Sequence, residues 1–179
     1  MKTMLRALKS GHATLMGLLI AGATLVALGS AVPSTAVAAD YTVDFPAGIA
    51  CESFDLRLDV DTNPRRPALK EFYDKNGNLV RILSPGKGAA VTFTNVATTA
   101  TLELAANGAV SQMIPNADGS QTWAIMGHIV LIFFPTDVPA GPSTTLYVGR
   151  VVFTIDASGI WTLKSTSGNS MDICAALSN

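Results

Sequence analysis

The chain is predicted to be all-β: one antiparallel, meander-rich domain, a β-sandwich or a flattened barrel, preceded by a cleavable signal peptide. Three observations carry this reading. Beyond residue 40, apolar residues recur at every second position, the period of a strand with one face on a core. Asn-Gly and Asp-Gly pairs punctuate those segments at Asn76-Gly77, Asn107-Gly108 and Asp118-Gly119, supplying the positive φ angles of tight hairpin turns. No segment beyond the leader reads as a helix.

The leader comes first. Lys2, Arg6 and Lys9 precede an apolar run from Ala13 to Gly29, and the small-residue stretch SAVPSTAVAA follows. Charge, apolar run and an A-x-A ending at Ala36-Val37-Ala38 make a secretory signal peptide over residues 1–39. The apolar run of about 17 residues is short for a membrane span. The expected product is a secreted, extracellular domain, residues 40–179, with no membrane attachment after cleavage. Cys51 lies too far beyond the apolar run for a lipoprotein site. Of the chain's twelve Lys and Arg, three leave with the leader, so nine cations face thirteen acids and the domain is net −4. That sign excludes an electrostatic surface for nucleic acid.

The strands then follow in order. YTVDFP after residue 40 is strand-like. Ser53–Asp61 alternates Phe54, Leu56, Leu58 and Val60 with Asp55, Arg57, Asp59 and Asp61, a strand with one wet face. Pro64 and Pro67 close it in a loop. Leu69–Asp74 and Asn78–Leu83 form a hairpin about Lys75-Asn76-Gly77. Ser84–Gly88 (SPGKG) reads as a break. Ala90–Val96 pairs with Thr99–Ala105 across Ala97-Thr98, and Asn107-Gly108 leads into Ala109–Ile114. Gln121–Phe134 is apolar on both alternating faces, which marks the central strand, with a bend expected near Gly127. Pro135–Thr145 is the longest loop. Leu146–Asp156 alternates again, Ala157-Ser158-Gly159 turns the chain into Ile160–Ser165, and Ser167-Gly168-Asn169 breaks it before the final segment. About nine strands with short turns make an antiparallel domain.

Cys51 and Cys174 stand near the two ends of the domain. In an exported chain such a pair is expected to form a disulfide.

Sites of known chemistry mostly fail. Asp59-x-Asp61-x-Asn63 copies the opening of an EF-hand loop, but Pro64 and Lys70 stand where Gly and Glu are required. One histidine beyond the leader, His128, is too few for a zinc site. A serine hydrolase would have to use His128, and no G-x-S-x-G elbow is present. Glu52, Glu71 and Glu103 suggest no glycosidase pair. Trp123 and Trp161 could offer a carbohydrate platform, but cross-strand packing explains them equally. No catalytic residue, metal or cofactor is therefore assigned. The proline-stiffened loop is the expected binding element, with Asp137, Ser143 and Thr144 as contacts.

Three stretches, Glu71–Asn78 (EFYDKNGN), Phe134–Gly159 (FPTDVPAGPSTTLYVGRVVFTIDASG) and Asp172–Leu177 (DICAAL), resemble small secreted proteins of unassigned function from high-GC Gram-positive bacteria. The resemblance implies export and one domain, and brings no active site with it. The expected role is a non-catalytic module binding an extracellular protein or a cell-envelope component. One alternative is a carrier of a small apolar ligand in a barrel cavity, recognisable by an apolar cavity of about 300 Å³ or more. A second is a hydrolase using His128, recognisable by a Ser, Thr or carboxylate about 3 Å from its ring.

Overall fold

The computed structural model describes residues 39–62 and 69–178. Residues 1–38 of the expected signal peptide and the expected Pro64–Pro67 loop lie outside the described residues. Ten strands are present among those described: β1 (Tyr41–Phe45), β2 (Leu56–Asp61), β3 (Lys70–Tyr73), β4 (Leu79–Gly86), β5 (Ala90–Asn95) and β6 (Thr101–Leu104). After them come β7 (Ala109–Pro115), β8 (Gln121–Phe133), β9 (Ser143–Ile155) and β10 (Trp161–Asp172), then one helical turn, α1 (Ile173–Ala176). Two antiparallel sheets pack together as a β-sandwich: one of order β1-β2-β5-β6, the other of order β10-β9-β8-β7-β4-β3. The chain crosses between sheets at β2–β3, β4–β5 and β6–β7, and then runs β7 to β10 as a meander.

The alternation read in Ser53–Asp61 is kept, with Leu56 and Val60 buried and Arg57 and Asp61 exposed. Asn76-Gly77 and Asp118-Gly119 turn the β3–β4 and β7–β8 hairpins as expected, whereas Asn107-Gly108 lies in the crossover from β6 to β7 and turns no hairpin, although Gly108 too has a positive φ. Four segments differ from expectation. Strand β4 continues through Ser84 and Pro85 to Gly86, and β9 begins at Ser143 rather than after Thr145. Strand β10 passes through Ser167-Gly168-Asn169 without a break. Last, the C-terminal segment forms α1, whose N-cap Asp172 accepts a hydrogen bond from the Ala175 amide at 3.0 Å.

Gly168 stays in its strand because of what lies beside it. Pairing registers place Gly86 opposite Ala109, Ala109 opposite Gly127, Gly127 opposite Gly149 and Gly149 opposite Gly168. One transverse row across five strands thus carries no side chain larger than a methyl. At Gly149 (φ +146°) a Cβ would stand 2.0 Å from the Ser167 carbonyl oxygen, and at Gly127 (φ +122°) 2.6 Å from that of Gly108. The backbones therefore approach along this line more closely than any side chain permits.

The larger sheet folds over at the row. A straight 13-residue strand such as β8 would hold its ends about 40 Å apart. Instead the chain leaving Phe133 returns to the start of β10: Val138 donates to the Trp161 carbonyl at 2.8 Å and accepts from the Leu163 amide at 2.7 Å. Trp161 is itself paired with Ile155, which lies opposite Gln121 at the beginning of β8. Residues from both halves of one β8 face, Ile125, Leu131 and Phe133, pack in one core with Val151 and Phe153. The opposite face of the second half, Val130 and Ile132, packs on a second core against the smaller sheet. In the second half of β8 both faces are apolar because each meets a core; in the first half Met126, on the face of Val130 and Ile132, is exposed.

The second core joins Leu56 and Phe93 to Ile173 and Leu177. Cys51 and Cys174 are bonded there, with Cα atoms 5.6 Å apart. The Asn95 amide nitrogen donates to the buried Leu177 carbonyl at 3.0 Å. At the surface, short-range hydrogen bonds hold four carboxylates below their ordinary value of 3.8. The Asn78 side chain acts on Asp74, that of Ser120 on Asp118, that of Thr62 on Asp40 and that of Arg57 on Asp44.

Three outcomes are expected. Gly149→Ala should cost about 3 kcal/mol, read from the denaturant midpoint, because the new Cβ meets backbone on the next strand. Replacing both cysteines by serine should cost about 2–5 kcal/mol, since the bridge closes nearly the whole domain; two free thiols in the unreduced, unfolded protein would contradict the bond. The four carboxylates bind protons less tightly folded than unfolded, so their contribution is complete above about pH 4 and is lost as pH falls through their lowered values. Melting temperature should therefore drop on acidification below about pH 4, and Asp74→Asn should reduce that drop.

Candidate functional site

The fold-over of the large sheet leaves two adjoining clefts at the glycine row. One, of about 380 Å³, lies on the inner side of the bend, walled by Ala109, Trp123, Ile125 and Ile129. The other, of about 270 Å³, lies toward the smaller sheet, walled by Val91, Leu104, Val130 and Leu146. Lys87, Gly88, Ala89, His128 and Ile129 line both.

Local sequence explains this placement. Lys87 follows Gly86 and His128 follows Gly127, and those two glycines flank Ala109 in the row. Lys87–Ala89 is the β4–β5 connection, where the chain leaves the large sheet for the small one. The crossover thus runs beside the bend, with a cleft on either side. The sequence marks SPGKG only as a break, and so misses Lys87. Its one signal is a lone cation between glycines, and the transverse register is needed to give that signal meaning.

His128 is exposed, and its backbone amide donates to the Gly108 carbonyl at 3.1 Å. Among the described residues no Ser, Thr or carboxylate is hydrogen-bonded to its ring, so no base–nucleophile pair of the kind a hydrolase uses is assembled. Ser111, which lines the larger cleft, donates its hydroxyl to the Ser84 carbonyl at 3.3 Å. Among the described residues no three His, Cys, Asp or Glu side chains gather as metal ligands. Of the carboxylates on the alternating face of the first long strand, Asp55 accepts from the Ala47 amide and Asp59 from the Thr42 hydroxyl.

The loop expected to make contacts is built differently. Asp137 is 5% exposed, and its carboxylate accepts from the Phe134 amide at 2.7 Å and the Trp161 amide at 2.9 Å. Thr144 is fully buried and donates its hydroxyl to the Ala50 carbonyl at 2.9 Å. Ser143 is half-buried and paired with Phe133 as the first residue of β9. Asp137 and Thr144 are both turned inward, where unpaired polar groups would be costly, and both fasten the fold. Trp123 and Trp161 are half-buried and stack on either side of Phe153, with centroids 6.2 and 4.7 Å away and rings nearly parallel. The faces they give to Phe153 are not free for a sugar, although Trp123 also borders the larger cleft.

No helix among the described residues is long and apolar enough to cross a membrane. The chain matches no family model, no curated protein and no solved structure.

Proposed function

We propose that the protein is an exported, non-catalytic binding module that holds a small apolar molecule at the folded edge of its large sheet. The observation that carries this reading is the cleft of about 380 Å³ walled by Trp123, Ile125 and Ile129. Ligand pockets of proteins begin at about 300 Å³ and are mostly apolar with a few polar groups. The rival in which Asp137, Ser143 and Thr144 grip a protein partner loses two of its three contacts to the interior. The ligand site belongs to a sandwich cleft rather than to the lumen of a closed barrel.

Export belongs to the same proposal. It rests on the order of charge, apolar run and small residues in the first 39 positions, and the Cys51–Cys174 bond suits an oxidising compartment. Kinship with small secreted proteins of high-GC Gram-positive bacteria is likewise part of it, resting on the three stretches named above.

Trp123 supplies the readout. Titration with the neutral fluorophore N-phenyl-1-naphthylamine should give saturable binding and quench tryptophan emission by energy transfer. Ala89→Trp, which places a large ring where both clefts meet, should weaken that binding at least about tenfold while leaving the melting temperature nearly unchanged, because Ala89 sits in a connection and not in a core. Absence of saturable binding to the wild-type protein, or full binding by Ala89→Trp, would refute the reading.

A further inference from the structure

We infer that the molecule held in the cleft is an amphiphile with an anionic head, and that Lys87 is the residue that recognises the head. The inference rests on the reading of the cleft as a small-molecule site.

Charge carries the argument. Among the described residues that line the two clefts, Lys87 is the one charged side chain, and no Asp or Glu takes part. Lys87 is exposed and forms no ion pair among the described residues, where the one salt bridge is Arg57–Asp44. The domain as a whole is acidic, nine cations against thirteen acids beyond the leader. A neighbourhood whose described residues hold a cation and no carboxylate is thus opposite in sign to the domain's net charge. His128, beside Lys87 in both linings, adds a ring that can donate a hydrogen bond to the same head. Apolar walls extend away from Lys87 on both sides, Ile125 and Ile129 on one and Leu104 and Leu146 on the other. An alkyl chain lying on either wall brings its polar end to this cation.

The magnitudes keep the two contributions apart. Burying the chain supplies most of the affinity and grows with each CH₂ removed from water. A solvent-exposed lysine paired with a carboxylate adds a smaller, salt-sensitive increment. Lys87 is therefore a selector among head groups.

Decanoate, decanol and decyltrimethylammonium carry the same chain under an anionic, a neutral and a cationic head. Their displacement of the naphthylamine probe at low salt should rank decanoate first by about threefold to fivefold over decanol, with the ammonium weakest. Lys87→Met, which keeps the aliphatic stem, should bring decanoate down to the decanol value, Lys87→Arg should preserve the preference, and high salt should erase it. Equal affinity for decanoate and decanol, or a preference that survives Lys87→Met, would overturn the head-group assignment while leaving the apolar site standing. Failure of all three to bind would overturn the apolar site, and this inference with it.

Discussion

The row Gly86–Ala109–Gly127–Gly149–Gly168 is the constraint on which the rest of the structure depends. Antiparallel strands ordinarily stay about 4.8 Å apart with side chains standing off both faces, and such a sheet twists but does not crease. Here a Cβ on Gly149, at φ +146°, would fall 2.0 Å from a carbonyl oxygen of the next strand. With the side chains removed along one line, the sheet can turn on that line, and its second half lies back over its first. Apolar groups from both halves of β8 then share a core with Val151 and Phe153. Glycine reaches these positive φ values without steric strain, and the conformational entropy it loses in mid-strand is offset by burying Phe133 and Phe153, each worth about 1.5–3 kcal/mol.

A second set of ties fixes the folded sheet to its partner. The β1–β2 connection, the start of β9 and the C-terminal turn meet at one place. Thr144 bonds the Ala50 carbonyl, Cys51 is bridged to Cys174, and Asn95 bonds the Leu177 carbonyl. Each tie joins segments more than eighty residues apart in sequence, and the disulfide among them also restrains the unfolded chain. No buried side-chain polar atom among the described residues lacks a partner. Asp137 does the same at the other end, joining the β8–β9 loop to the start of β10 through two amides. With both ends of the sandwich fastened, the open flank is the corner beside the β4–β5 crossover.

Local chemistry made much of this fold legible. Alternation in Ser53–Asp61 and the Asn-Gly and Asp-Gly turns are set by residues a few positions apart, and so is the two-faced apolar run of Gln121–Phe134. The fold-over is not of that kind. Gly127 alone suggests a bend, while Gly168 in SGN and Gly86 in SPGKG each read as breaks. Their alignment is a property of register across five strands, set by pairings 18 to 23 residues apart. The same limit hid Lys87, whose neighbours in the cleft come from β5, β6, β7 and β8. Asp137 misled for a different reason. A carboxylate in a proline-rich loop suggests solvent, and its two backbone partners become visible only when Trp161 is brought beside Phe134.

The glycine row creates the proposed ligand site. Trp123 and Ile129 stand on either side of Gly127 and would be about 20 Å apart along a straight strand, yet both wall the larger cleft. The most direct measurement is an isotope-filtered NOE experiment on the labelled protein saturated with unlabelled decanol. Contacts from the same chain methylenes to both the Trp123 indole and the Ile129 methyls are predicted. Contacts confined to one of the two, or to Val110 and Met126 on the exposed outer face, would contradict the account.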